Sequence, residues 1–244
     1  ILNGYFLQVF TFVCINIILA LTVYMTVCTG ILSLGNAGFM SLGAYTSAIV
    51  TTQYGVPMPV GIVLGGLFAT FVALIIGMPT IRLRGLYLAI ATMGFGEVVR
   101  VIALNLDITH GALGFSGIPS MASVLSDYAS DMGLLDALEI DSQTGGQLLM
   151  NIVLLILVIA VVTFWYRLEH SRIGRAWAAV KADEYAASLT GINVVRYKMM
   201  AFLFSAFFAG AAGALYAHAT FFISPTDFSW HKVVDLSLIH ISEP

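Results

Sequence analysis

Long apolar stretches constrain this sequence more than any other feature. A helix that crosses the hydrocarbon core of a bilayer needs about 20 mostly apolar residues. Six stretches are close to that length: 5–27, 32–52, 60–78, 85–106, 148–166 and 198–222. They are continuous rather than alternating with a period of two, which disfavours a transmembrane β-barrel. The pattern predicts an all-α polytopic membrane protein with about six spanning helices.

Composition supports a membrane class and narrows the chemistry. Of the 244 residues, 59% are hydrophobic and 9% are charged, whereas soluble domains carry about 25% charged residues. The net charge of −3 gives no support for nucleic-acid binding. No phosphate-binding loop, HExxH or GxSxG motif and no cluster of metal ligands is present. Cys14 and Cys28 are interpreted as small apolar residues. We therefore expect no catalytic residue, metal or cofactor on this chain.

Charge distribution predicts the orientation in the membrane. Arg82 and Arg84 lie between the third and fourth stretches. Six further basic residues lie between the fifth and sixth stretches: Arg167, Arg172, Arg175, Lys181, Arg196 and Lys198. Segment 107–147 has six acidic residues and no lysine or arginine. Because cytoplasmic loops carry the Lys/Arg excess, both basic loops are predicted to be cytoplasmic, and 107–147 and the N-terminus extracytoplasmic.

Small residues indicate where helices approach closely. Gly61 and Gly65 form a GxxxG pair, and the last stretch carries a small-residue stripe made of Ser205, Ala209, Gly213 and Ala217. Such residues let helix backbones come into van der Waals contact in lipid. The stripe indicates either ordinary contact within one bundle, or a subunit interface or translocation wall.

Glu97 and Arg100 lie inside the fourth stretch, three residues apart, so they share a helix face and can pair. Charges at membrane depth are costly and usually face the protein interior or a water-filled path. Two interpretations remain open. The pair either ties this helix to a neighbour, or it forms a gate or a contact to the zwitterionic group of an amino acid.

The second stretch is crowded with glycine and polar residues. Gly35, Asn36, Ser41 and Gly43 suit a helix that is interrupted beside a substrate path, because unwound backbone can offer N–H and C=O groups to a ligand. Tight contact through Gly35, Phe39 and Gly43 is the alternative.

The cytoplasmic loop 167–197 is too long and polar for a simple turn. Its centre, 175–191, is alanine-rich, lacks proline and ends at Gly191, which predicts one or two short helices with a glycine stop. Trp177 falls near an apolar face, surrounded by Arg175, Lys181 and Glu184. This amphipathic segment suits docking into a groove on a partner, with Trp177 as the anchor. Attraction of its basic residues to the inner leaflet is the alternative.

Three segments resemble the branched-chain amino acid ABC permease family. They are LSLGNAGFMSLGAYTSA at 32–48, RLRGLYLAIATMGFGEVVR at 82–100, and the run from 174 to 225 containing GRAWAAVKADEYAASLTGINVVRYK. The resemblance covers most of residues 20 to 235. It implies a permease of the bacterial inner membrane that works with ATP-binding cassette subunits, a second permease subunit and an extracytoplasmic amino acid-binding protein, with ATP bound on the partner subunits.

Two departures from the family pattern stand out. Counting back from Gly191, Tyr185 occupies the glutamate position of the family's E-A-A-x-x-x-G loop, with Glu184 one residue earlier. After Asp235 the similarity stops. We expect 1–235 to be a permease domain truncated at its C-terminus, 167–197 its coupling loop, and 236–244 a non-native tail.

These observations predict an importer subunit that moves a branched-chain amino acid inward by alternating access, driven by ATP hydrolysis on partner subunits. Two rivals remain. One is a urea or short-amide ABC permease, which would share the architecture. The other is an ion-coupled secondary transporter that uses Glu97 and needs no partner ATPase.

Overall fold

The computed structural model describes residues 4–31, 33–81, 83, 85–109, 111–131 and 142–228. Within them the chain is almost entirely helical, which confirms the all-α prediction. The α-helices are α1 (Gly4–Val27), α2 (Asn36–Gln53), α3 (Met58–Thr80), α4 (Leu86–Asn105), α5 (Met121–Asp131), α6 (Ser142–Glu169), α7 (Arg172–Ala182), α8 (Glu184–Leu189) and α9 (Val194–Thr220). Short 3-10 turns cover Asp107–Thr109, Gly111–Leu113 and Pro225–Phe228, and a two-stranded sheet joins β1 (Phe115–Ser116) to β2 (Phe222–Ile223).

Five helices in the described residues are long and apolar enough to cross a membrane: Gly4–Val27, Met58–Thr80, Tyr87–Asn105, Gly145–Glu169 and Val194–Thr220. They match five of the six predicted stretches. The remaining stretch, 32–52, forms α2 but is not among them. Helix α2 lies against α3, α4 and α9, and most of its residues are buried. Because it contacts protein rather than lipid, it tolerates the glycine, serine and threonine that lower its hydropathy.

Helix α2 runs without interruption from Asn36 to Gln53, so the predicted break beside a substrate path is wrong within this span. Its glycines instead allow backbone contact. A Cβ placed on Gly43 would overlap the backbone of Gly210 in α9, and one on Gly65 in α3 would lie 2.7 Å from the Gly43 carbonyl oxygen. A Cβ on Gly213 would overlap the Met40 backbone. The backbones of α2, α3 and α9 therefore meet at glycines, as the tight-contact alternative predicts.

The small-residue stripe of α9 faces the same interior. Ser205, Ala209 and Ala217 are each no more than 1% exposed. Gly213, the fourth member of the stripe, is buried against α2. The stripe therefore makes contacts within the bundle, which confirms the simpler of its two interpretations.

Contacts between distant segments define the two ends of the bundle. At one end, β1 pairs with β2 after α9, and α5 packs on the start of α6. At the other end, α7 packs against α6 and α9. The acidic segment 107–131 and the basic coupling loop therefore lie at opposite ends, as the predicted orientation requires. Arg82, Arg84 and the tail 236–244 lie outside the described residues.

Candidate functional site

A buried polar network joins three helices at Asn36. The Asn36 amide nitrogen donates to the Thr22 hydroxyl of α1 at 3.1 Å, and the Ser205 hydroxyl of α9 donates to the Thr22 carbonyl oxygen at 2.9 Å. Ser205 Oγ also lies 3.4 Å from Asn36 Oδ1. All three side chains are no more than 2% exposed. In an apolar surrounding such bonds fix the register of the helices, because breaking them leaves buried polar atoms unpaired. Asn36 therefore acts here as a link between helices.

Gly35 and Ser41 lie on either side of Asn36 and are also buried. The Leu34 N–H donates to the Thr92 hydroxyl of α4 at 3.1 Å, and a Cβ on Gly35 would lie 3.2 Å from the Thr92 carbonyl oxygen. Gly35 thus lets the start of α2 approach α4. Within the described residues, the buried Ser41 hydroxyl has no hydrogen-bond partner. The four residues predicted on α2 therefore lie among helices rather than on an open path.

Glu97 and Arg100 form an ion pair within α4. Arg100 Nε lies 3.0 Å from each carboxylate oxygen of Glu97, a two-point contact. The side chains are 45% and 27% exposed, respectively. The predicted pairing is confirmed, but among the described residues no salt bridge joins either side chain to another helix. The pair lies on a face of α4 that the described part of the chain leaves partly open.

Trp177 fastens α7 to the spanning helices. It is 1% exposed, stacks on Trp165 of α6 at 5.5 Å between ring centroids, and donates its indole N–H to the Tyr197 carbonyl oxygen at 2.9 Å. It belongs to a cluster with Met25 and Ala201. The prediction that Trp177 anchors a partner protein is therefore wrong, because its ring is enclosed by its own chain.

The rest of the coupling loop forms the predicted pair of short helices. Asp183 caps α8 by accepting from Tyr185 N–H and Ala186 N–H. Gly191 follows α8 with φ +86°, the left-handed conformation that favours glycine at a helix stop. Glu184 pairs with Lys198 at the start of α9.

The outward surface of this loop carries cations and apolar side chains. Arg175 and Lys181 are exposed. Tyr185 is 67% exposed and Leu189 is 88% exposed. Leu189, which the sequence analysis did not single out, is the most exposed large hydrophobic side chain among the described residues.

His218 is a second residue that the sequence analysis missed. It is fully buried near the end of α9, with Nδ1 2.9 Å from the Pro119 carbonyl oxygen and Nε2 3.0 Å from the Ser47 hydroxyl. A carbonyl oxygen only accepts, so Nδ1 carries the proton and, in the neutral ring, Nε2 accepts from Ser47. The segment just before α5 is thus connected to α2 and α9 by His218. A lone histidine in an apolar run gives no sequence signal for these partners.

A cavity of about 700 Å³ lies at the end of the bundle that holds α5, lined mainly by apolar residues that include Met58, Leu157 and Leu215. None of the sequence-predicted site residues lines it. Among the described residues, no group of three or more His, Cys, Asp or Glu side chains could hold a metal ion. Burial raises the pKa of the Cys28 thiol, so this side chain stays protonated at neutral pH.

Comparison with known proteins identifies relatives. Residues 5–241 match the family described as "Branched-chain amino acid transport system / permease component". The chain is 37% identical over 230 residues to the high-affinity branched-chain amino acid transport system permease protein LivM of Escherichia coli K12, and 36% identical to that of Salmonella typhimurium LT2. Each alignment covers 90% of this chain and 54% of the relative.

A more distant relative is the nucleoside ABC transporter permease protein NupC of Lactococcus lactis subsp. cremoris. It is 24% identical over 209 residues, which cover 78% of this chain and 59% of that protein. No solved structure matches the chain significantly. The chain spans about half the length of the curated relatives it matches. Its apolar helices and these similarities lead to one conclusion: the chain belongs to the branched-chain amino acid transport system / permease component family.

Proposed function

We propose that this chain is the permease subunit of a bacterial inner-membrane ABC importer that moves branched-chain amino acids inward by alternating access. The observation that carries the proposal is the 37% identity to a LivM permease over 90% of the chain. ATP is hydrolysed on partner ATP-binding cassette subunits, and this chain binds no cofactor. A second permease subunit completes the membrane-spanning part.

The ATP-binding subunit docks on α7 and α8. These helices lie at the basic end of the bundle, and Trp177 holds them firmly on α6 and α9. A rigid attachment is what coupling requires, because a movement of the partner must reach the spanning helices without being absorbed by a flexible loop. Leu189 supplies the exposed apolar contact, and Arg175, Lys181 and Glu184 are charged residues of the same two helices. Binding of this segment to the inner leaflet is the alternative.

The substrate path runs beside the open face of α4. The Glu97 side chain is 45% exposed in a helix that qualifies as a membrane span. A charged pair at membrane depth faces protein or water rather than lipid. We therefore assign this face to a water-filled path that the second permease subunit closes. Glu97 and Arg100 offer opposite charges to a zwitterionic amino acid. The wall of the path behind α4 is formed by the packed start of α2, with the residues Gly35, Asn36, Ser41 and Gly43.

The amino acid-binding protein docks at the opposite end, on the segment 107–131. His218 holds this segment on α2 and α9 through the Pro119 carbonyl oxygen. Because this surface is fixed, the binding protein docks in a single orientation when it releases its substrate.

A competition experiment tests the substrate class. The full transporter is reconstituted in proteoliposomes, and ATP is supplied on the side of the membrane where the ATP-binding subunits lie. Uptake of labelled leucine is then measured. Unlabelled isoleucine and valine should compete, whereas adenosine and urea should not. Uptake of labelled adenosine without uptake of leucine would support a nucleoside permease, the activity named for the Lactococcus relative. Uptake of labelled urea without uptake of leucine would support the amide rival.

A further inference from the structure

A second, smaller cavity lies at the basic end of the bundle, between α1, α6 and α7. Its volume is about 250 Å³. The lining includes side chains of both charge signs and three aromatic side chains, and none of its residues belongs to the substrate path proposed above. The residues that carry the argument are Tyr24, Trp165, Glu169, Arg175, Trp177 and Lys181.

The charged groups of this cavity come from two different elements. Glu169 is the last residue of α6, and its carboxylate accepts from the Tyr24 hydroxyl at 3.3 Å. Arg175 and Lys181 lie on α7, and both are exposed. Neither forms a salt bridge to an acidic side chain within the described residues. The cavity is therefore bordered by one anionic and two cationic side chains.

Two stacked tryptophan rings line the cavity. Trp165 is 4% exposed, and its ring centroid lies 5.5 Å from that of Trp177. Trp177 also donates its indole N–H to the Tyr197 carbonyl oxygen. Because both rings are held by the surrounding helices, this part of the cavity wall has a fixed shape.

We propose that this cavity binds a small zwitterion in which an ammonium group lies a few bonds from an anionic group. The anionic group lies against Arg175 and Lys181, while the ammonium group lies against Glu169. Two sources carry this chemistry: a free α-amino acid in the cytoplasm and the headgroup of phosphatidylethanolamine in the inner leaflet. Because the cavity connects α7 to α1 and α6, the occupant stabilises the attachment of the coupling loop and so regulates coupling.

Direct binding to the purified full chain tests this site without measuring transport, so its failure is distinguishable from failure of the proposed function. Labelled leucine is titrated by equilibrium dialysis in detergent. Leucinamide and 4-methylpentanoate, which each lack one charge, serve as competitors. In parallel, retained phosphatidylethanolamine is measured after reconstitution with equal amounts of phosphatidylethanolamine and phosphatidylcholine.

Glu169→Gln removes the anionic side of the cavity and keeps the shape. Loss of a charge-assisted contact should weaken binding at least about tenfold. Arg172→Gln is the matched control, since Arg172 is an exposed residue at the start of α7, three positions from Glu169, that is not among the residues lining the cavity. Ala178→Met narrows the cavity without changing charge and replaces Glu169→Gln if that variant does not fold.

Leucine binding that requires Glu169, with both competitors at least about tenfold weaker, supports the site with a free amino acid as occupant. Phosphatidylethanolamine retention that requires Glu169 supports the site with a lipid headgroup. The proposal is overturned if neither molecule is retained, or if both are retained equally by Glu169→Gln and Arg172→Gln.

Discussion

Replacing Trp177 by alanine should detach the coupling loop from the spanning helices. The ring is 1% exposed, stacks on Trp165 and donates to the Tyr197 carbonyl oxygen. Truncation of a buried tryptophan costs about 3–5 kcal/mol, because the cavity left behind closes only in part. Trp177→Phe keeps the aromatic contact and loses the hydrogen bond, so it should cost about 1–2 kcal/mol.

Thermal unfolding of the detergent-purified protein, monitored by size-exclusion chromatography, measures these losses of stability. A chain of this size changes its Tm by about 2–4 °C per kcal/mol, so Trp177→Ala should lower Tm by about 10 °C. Limited trypsin digestion gives a local readout, because Arg175 and Lys181 become cleavable when α7 detaches. Digestion within this segment should be much faster in Trp177→Ala than in the wild type.

Leu189→Ala is the matched control. Leu189 is 88% exposed, and exposed substitutions usually change stability by less than about 0.5 kcal/mol. This variant should keep the wild-type Tm and digestion pattern while it weakens co-purification of the ATP-binding subunit. The assignment of Trp177 to the interior is refuted if Trp177→Ala keeps the wild-type Tm and loses only the ATP-binding subunit.

Three further outcomes follow from the described contacts. Gly43→Ala should destabilise the protein by about 1–3 kcal/mol, since the new Cβ would overlap the Gly210 backbone. Gly94→Ala, where the Cβ meets open space, should be neutral or stabilising in the same unfolding assay. Glu97→Gln should leave the amount of folded protein near that of the wild type and reduce leucine uptake, because the pair lies on the open face of α4. A loss of folded protein that removal of Arg100 restores would instead assign the pair a structural role. A cysteine at Ser130 should react with an impermeant thiol reagent added outside the cell and one at Ser188 should not, while the opposite pattern would reverse the orientation.

Much of the fold could be predicted because lipid imposes a simple rule: a helix that crosses the bilayer needs about 20 mostly apolar residues. Continuous apolar stretches of about 20 residues located five spans, and the basic loops gave the relative position of the two ends. Helix α2 departs from the rule because it is surrounded by protein, so its glycines serve contact with Gly210 and Gly65 rather than an unwound path. Sequence alone does not show which surface a helix faces.

The candidate site was harder to predict for the same reason. The Glu97–Arg100 pair followed directly from helical spacing, since both partners lie on one element. Trp177 is ambiguous in sequence, because an aromatic residue on an amphipathic helix suits a partner's groove and its own bundle equally well. Only the positions of Trp165 and Tyr197, distant in sequence, decide between them. The partners of His218 are likewise set by tertiary structure.

The energy source for uptake tests the central claim most directly. The complete transporter is reconstituted in liposomes, and leucine uptake is measured with ATP supplied to the ATP-binding subunits or with proton and sodium gradients alone. An ABC importer should show uptake that requires ATP and the partner subunits and that falls in Leu189→Ala. Gradient-driven uptake by this permease alone, unaffected by ATP, would contradict ATP-driven import and support the secondary-transporter rival.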